Sequence, residues 1–183
     1  MSPRRSAPLT LEYVLLGLLK RHPMHGYELY KALNQPVGVG VIWAVKQARL
    51  YALLDKLAAA GMLEPHLISG ENRPDRVEYH LTEAGNQMLL SWVATPVEHA
   101  REMRQEFLGK LYFAQLIDGK IAAKLIADQK EIVKIWLKGH QQTLNVLSPE
   151  QDYERSVLTF RILQEEALQT WLNSLSNGRS KRA

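Results

Sequence analysis

Leucines at positions 50, 53, 54 and 57 recur at the i, i+3, i+4, i+7 spacing of one helix face. Residues 43–61 (WAVKQARLYALLDKLAAAG) are therefore expected to form an amphipathic helix. Its opposite side is unusual. Ala48, Ala52 and Ala59 stand where a solvated face normally carries long polar side chains, with Arg49 and Lys56 on one flank. Upstream, Leu11, Val14, Leu15, Leu18 and Leu19 leave little polar face, which predicts a core helix over residues 11–21 capped by Thr10. The His22-Pro23-Met24 step ends it. A second helix is expected over residues 25–34, with Tyr27, Tyr30 and Leu33 on one side. A loop bearing proline and glycine follows at 35–40. Gly61 suits a left-handed cap at the end of the alanine-backed helix.

The period then falls to two. Residues 63–69 and 76–81 alternate, with Leu63, Leu67, Val77, Tyr79 and Leu81 available for one buried face. The intervening Gly-Glu-Asn-Arg-Pro-Asp is rich in turn formers, so the two runs read as a hairpin with a polar, arginine-bearing tip. Thr82 caps a further helix to about residue 95 that buries Met88, Leu89, Trp92 and Val93. Three helices, a hairpin and a helix make a winged helix-turn-helix, and an isolated hairpin would need those helices to be stable. Beyond Pro96 the pattern is helical throughout. One helix is expected over 97–117, with Met103, Phe107, Leu111 and Ala114 in line, and another over 120–147 with Leu125, Ile132 and Trp136. Ser148-Pro149-Glu150-Gln151 offers an N-cap, a proline at the first helical position and a capping-box glutamine. The third helix should run to about residue 175, with Tyr153, Val157, Phe160, Ala167 and Trp171 spaced by threes and fours.

The expected fold is thus mainly α: a winged helix-turn-helix domain followed by a C-terminal helical dimerisation domain. Residues 1–95 form the first, with 1–9 as a flexible basic arm. Residues 96–176 form the second, and 177–183 a disordered tail. Three long helices carrying several large aromatics suit a bundle or a seam between two copies.

Composition narrows the chemistry. The chain has 183 residues, 46% of them hydrophobic, and no cysteine. Disulfides, thiolate metal sites and cysteine nucleophiles are excluded together, and a reducing cytoplasm fits. The net charge of +4 leans mildly towards an anionic partner. Division before Pro96 gives 10 basic and 8 acidic residues on one side and 13 and 11 on the other, so bulk charge does not choose a half. Arg4 and Arg5 ahead of an apolar run resemble an export signal. However, Glu12 interrupts the run and no A-x-A cleavage site follows. No stretch approaches the length of a membrane span.

Position then decides. In a helix-turn-helix the second helix of the motif enters the major groove and presents its N-terminal residues to base edges. Small alanines let the backbone come close. Gln47 and Arg49 fall in the first turn, where glutamine can pair with adenine and arginine with guanine. Tyr51 and Lys56 are better placed for phosphate, whereas Asp55 must face Lys56 or a gap. At the hairpin tip, Arg73 and Arg76 would reach the sugar–phosphate backbone beside the groove, as could Arg4 and Arg5 from the arm. A generic surface helix with poor polar cover remains the plain alternative until these features are taken together.

The blocks LLGLLKRHPMHGYELYKAL, WAVKQARLYALLDKLAAAGML and SGENRPDRVEYHLTEAG resemble the PadR family of transcriptional regulators, in order and at the family's spacing over about residues 11–90. EFLGKLYFAQL and the helices after it resemble the longer subgroup with a C-terminal helical domain of the virulence-activator type. The resemblance implies DNA contact by Gln47, Arg49 and Tyr51 in the helix and by Arg73 and Arg76 in the wing. Family members often carry serine or threonine, then glycine, before the leucine–tyrosine pair. Here Lys46 and Ala48 stand there, so a side-chain N-cap is lost and a cation is gained near the DNA. The helix, the wing and the helical C-terminal half together point to a homodimeric repressor on double-stranded DNA, at a pseudo-palindromic operator because a two-fold dimer must match a two-fold site, and no cofactor is expected. The resemblance also implies a small aromatic or amphipathic effector, bound near the junction of the two domains. Trp92, Trp136, Trp171, Phe107 and Tyr112 could line such a pocket. Large aromatics at helical spacing normally pack, so they are read first as core and seam, and no effector residue is assigned.

Catalysis finds little support. His22 and His25 flank a proline that breaks helical geometry, and no third metal ligand lies near. Glu98, Glu102 and Glu106 share i+4 spacing but interleave with Arg101, Arg104 and Lys110, as on a solvated face. Phosphate-binding glycine loops and serine-nucleophile elbows are absent. Two competing classes stay open: a winged helix that only associates with proteins, and a metal-dependent enzyme.

Overall fold

The computed structural model describes residues 10–69 and 75–177. The basic arm, the wing tip with Arg73, and residues 178–183 of the tail lie outside them. Helix α1 (Thr10–Leu19) is buried on nearly every side, as a sequence apolar but for Thr10 and Glu12 requires. It lies so close to the C-terminal half that a Cβ on Gly17 would sit 2.5 Å from the Phe113 ring. A short strand β1 (Met24–His25) follows, then α2 (Gly26–Asn34), whose first turn is closed by the Glu28 carboxylate accepting the His25 backbone N–H at 2.8 Å. The inner face of α2 is Gly26, Leu29 and Leu33, and of the side grouped from sequence only Leu33 belongs to it. Gly26 must meet the Tyr51 ring, where a Cβ would be 2.6 Å away. That rotation leaves Tyr30 half-buried and turns Tyr27 out to 65% exposure.

The alanine-backed helix, α3, spans Gln47–Ala59 and starts four residues later than its pattern suggests. Trp43 and Val45 are buried in an irregular run instead. The Asn34 side chain accepts the Val45 N–H at 3.2 Å and donates to the Val45 carbonyl at 3.1 Å. Those backbone groups are therefore unavailable to a helix. Lys46 is the N-cap and makes no side-chain cap bond, as the missing serine or threonine implies. Gly61, at φ +71°, ends the element in the left-handed region that glycine tolerates.

Strands β2 (Leu63–Ile68) and β3 (Arg76–Leu81) form the wing, with Leu63 opposite Leu81 and Leu67 opposite Val77. The sheet has a third, unforeseen member: β1 pairs with β3, giving the order β1-β3-β2. Only the wing's root is buried, through Leu63 and Tyr79. Leu67 (66% exposed) and Val77 project beyond the helices, so the expected continuous apolar face stops halfway. In α4 (Glu83–Ala94) the Thr82 hydroxyl accepts the Gly85 N–H and donates to the Gly61 carbonyl, tying the hairpin to both flanking helices.

Residues 97–117 do not form one helix. Glu102 accepts the His99 N–H, closing a separate 3-10 turn at Ala100–Arg104 before α5 (Glu106–Ile117) begins. Met103, Phe107, Leu111 and Ala114 are all buried nonetheless. Helices α6 (Gly119–Val146) and α7 (Asp152–Asn177) form the long hairpin of the C-terminal half. Gln151 accepts the Ser148 N–H at 2.9 Å, but α7 begins only at Asp152, which leaves Pro149 in the preceding turn. The face of α7 that meets the rest of the chain is Leu158, Ile162, Glu165 and Leu172. Tyr153 (78% exposed) and Phe160 (59%) lie outside it, because the 158/162/165/172 set takes that position. The fold is mainly α, a winged helix with C-terminal helices.

Candidate nucleic-acid interface

The inner stripe of α3, Leu50, Leu53, Leu54 and Leu57, is fixed in the core, and this alone determines which residues point out. Lys46, Gln47, Ala48 and Arg49 are all exposed at the N-terminal end, followed by Ala52, Asp55 and Ala59. The outer face is small-sided where the helix backbone would approach a partner. Its two cations, Lys46 and Arg49, have no acidic partner within ion-pair distance among the described residues. Four unsatisfied N–H groups and a net positive helix end add to that field.

Lys56 is different. Its Nζ lies 2.7 Å from the Glu12 carboxylate of α1, and the Glu12 side chain is only 7% exposed. Asp55, expected beside Lys56 or a gap, instead acts on Tyr79: burial raises that phenol above its ordinary value, and the Asp55 charge adds to the shift. Lys56 thus joins α3 to α1 and neutralises a buried carboxylate, whose isolation would cost far more than a surface charge.

Arg76 opens β3 and lines a cleft of about 880 Å³ with Tyr51, Tyr27, Lys31 and Asp75. The structure therefore joins Lys46, Gln47 and Arg49 on one helix end, and Tyr51 with Arg76 in the adjoining cleft. Arg73 lies outside the described residues. Sequence reading missed Tyr27 and Lys31. Their i, i+4 spacing on the side of α2 away from Leu29 and Leu33 was the available signal.

A second cleft, of about 900 Å³, opens between the segment after Val97 and helices α6 and α7. Arg101, Arg104, Trp136, His140, Arg161 and Trp171 are among the residues that line it. At its margin His140 Nδ1 lies 2.9 and 3.1 Å from the two oxygens of buried Glu165, which fixes the ring and leaves Nε2 as its remaining polar atom. The five aromatics considered from sequence separate here. Trp136 and Trp171 line the cleft. Trp92 stacks on Tyr13 at 4.9 Å, Phe107 meets Trp171 edge-on, and Tyr112 meets Phe113 edge-on. The glutamates at 98, 102 and 106 share no helix face because no helix spans them. Glu98 lines the cleft, Glu102 caps the 3-10 turn, and Glu106 accepts the Trp92 indole N–H. His25 is engaged with the Val77 carbonyl through Nδ1, and no group of three or more potential ligands among the described residues is placed to hold a metal. No helix among them is long and apolar enough to cross a membrane.

A helix whose small, cationic N-terminal face is held outward beside a two-stranded wing defines a winged helix-turn-helix of the DNA-binding class. Residues 15–91 match the Transcriptional regulator PadR-like family, and the chain carries a PadR-like domain. It is 25% identical to the negative transcriptional regulator PadR of Bacillus subtilis over 174 residues, which cover 90% of this chain and 94% of that protein. Among solved structures, Bacillus subtilis PadR in complex with operator DNA is 25% identical, covers 92% of this chain and 97% of its own, and has a TM-score of 0.48. The same protein in complex with p-coumaric acid covers 91% and 96%, also at 25% identity, with a TM-score of 0.43.

Proposed function

We propose that this protein is a homodimeric, sequence-specific transcriptional repressor that binds a pseudo-palindromic operator in the cytoplasm, and that it is a binding protein rather than an enzyme. The observation that carries the reading is the exposed N-terminal turn of α3, with unpaired Lys46 and Arg49 in a PadR-like domain. Gln47 and Arg49 read base edges. Lys46, Tyr51, Arg73 and Arg76 hold phosphate, and Lys56, already balanced by Glu12, contributes the smallest share. Residues 1–95 act as the DNA-binding unit and 96–176 as the dimerising unit. The exposed Tyr153, Phe160 and Leu163 of α7 supply an apolar surface for the second copy. Two-fold symmetry of the dimer then requires two-fold symmetry of the site, with half-sites about one turn apart.

The cleft between residues 98–108 and helices α6 and α7 is the natural input. Two tryptophans and three arginines suit a planar aromatic anion, the chemistry of the p-coumaric acid bound by the Bacillus subtilis relative. Selection of bound duplexes from a random pool, with and without p-coumaric acid, tests both parts. Enrichment of a palindromic site supports the operator reading, whereas retention of no duplex at low salt overturns it. Release of the selected duplex on adding the acid supports the effector reading, and unchanged binding removes that acid as the input.

A further inference from the structure

Four polar or charged side chains stand out as buried among the described residues: Glu12, Lys110, Gln129 and Glu165. Two of them grip the same short segment between α4 and the C-terminal half. The Gln129 amide, fully buried on α6, accepts the Val97 N–H at 2.8 Å and donates to the Val97 carbonyl at 3.1 Å. It thus pairs with Val97 as a neighbouring strand would. Lys110 of α5 donates to the Thr95 carbonyl at 2.8 Å and lies 3.2 Å from Glu106, which in turn accepts the Trp92 indole N–H from α4. A lysine at this depth is costly, and burial lowers its pKa despite the Glu106 charge. An apolar residue would fill the space more cheaply, so the polar pair is better explained by geometry than by stability.

We infer that Gln129 and Lys110 are positioning residues that fix the angle at which the DNA-binding half leaves the helical half. In a dimer that angle sets the distance and rotation between the two α3 helices. The clasp therefore selects operator half-site spacing without touching DNA. Glu98–Arg101, Met103 and Arg104, directly after Val97, line the larger cleft against α6 and α7, so a ligand there would press on the segment the clasp holds. This inference rests on the proposed dimeric operator binding.

The test uses the full chain and duplexes built from the selected operator, with half-sites moved by two base pairs either way. Each shift rotates one half-site by roughly 70° about the helix axis. Wild-type protein should lose on the order of tenfold affinity per shift, whereas Gln129→Leu should bind all spacings within about threefold, because distortion is then absorbed by the protein rather than the DNA. Its affinity for a duplex with one half-site should equal that of wild type, a control that an unfolded variant fails. Lys110→Met should flatten the profile independently if Gln129→Leu does not fold. A wild-type spacing profile in a folded variant with intact half-site binding overturns the clasp. Failure of wild type to bind any duplex overturns the operator reading, and the clasp with it.

Discussion

Two helix faces in this chain lack the long polar side chains that cover most exposed helices, and they lack them in opposite ways. The outer side of α3 is small and cationic, with Ala48 and Ala52 beside Lys46 and Arg49. The outer side of α7 is large and apolar, with Tyr153, Phe160 and Leu163. A face of alanines offers little apolar area but a close approach for the backbone, which suits a groove lined by polar edges and phosphate. A face of aromatics and leucine offers area and no charge, which suits a protein surface. Bareness alone does not identify a partner. What remains on the bare face does.

The largest effect should come from the apolar face. Phe160→Asp with Leu163→Asp is expected to raise the dimer dissociation constant by about 100-fold or more, read by sedimentation equilibrium, since truncated interface anchors cost about 2–4 kcal/mol. An unchanged dimer would separate α7 from the seam and dissolve the contrast. Next is the cation on α3 that reaches back to the buried Glu12 carboxylate. Lys56→Ala leaves Glu12 buried without its partner and should lower unfolding stability by about 1–3 kcal/mol in urea titration, more than removal of an exposed charge. Arg49→Ala should cost about 1–3 kcal/mol at a single base-pair position and leave stability alone, as read by binding to operator variants. Arg73→Ala should weaken all sequences alike and reduce the slope of log affinity against log salt by about 1. If Arg73→Ala changed base preference instead, the division between reading helix and holding wing would fail. The smallest effect is a dependence on pH. Burial lowers the Lys110 pKa, so the unfolded chain binds more protons between that value and the ordinary 10.5. Stability of wild type relative to Lys110→Met should therefore rise with pH across that window.

Much of the architecture was legible because single-face periodicity survives folding. The leucine stripe of α3 and the caps at Thr82 and Gly61 stand where their chemistry puts them. What was not legible depended on long-range pairing. The start of α3 moved because Asn34, eleven residues earlier, satisfies the Val45 backbone. β1 exists because β3 has a free edge for Met24 and His25. Which faces of α2 and α7 turn inward was not legible because both helices carry two competing apolar stripes, and only the neighbours choose between them. In the candidate site, the exposed first turn of α3 followed from the leucine stripe. The Glu12 partner of Lys56 did not, since a glutamate inside a core helix carries no sign of which cation will cover it.

Asn34 and Gln129 share a consequence in the chemistry of ageing. Each carboxamide holds both the N–H and the carbonyl of one valine, a task that needs an acceptor and a donor on the same side chain. Hydrolysis of either amide would keep the acceptor, delete the donor and set a negative charge against a carbonyl oxygen. At Asn34 the new charge would also sit at the negative end of α2. Exchange of one ammonia for one water, a mass change of about one dalton, would loosen the start of α3 at one site or the seat of the connection between α4 and α5 at the other.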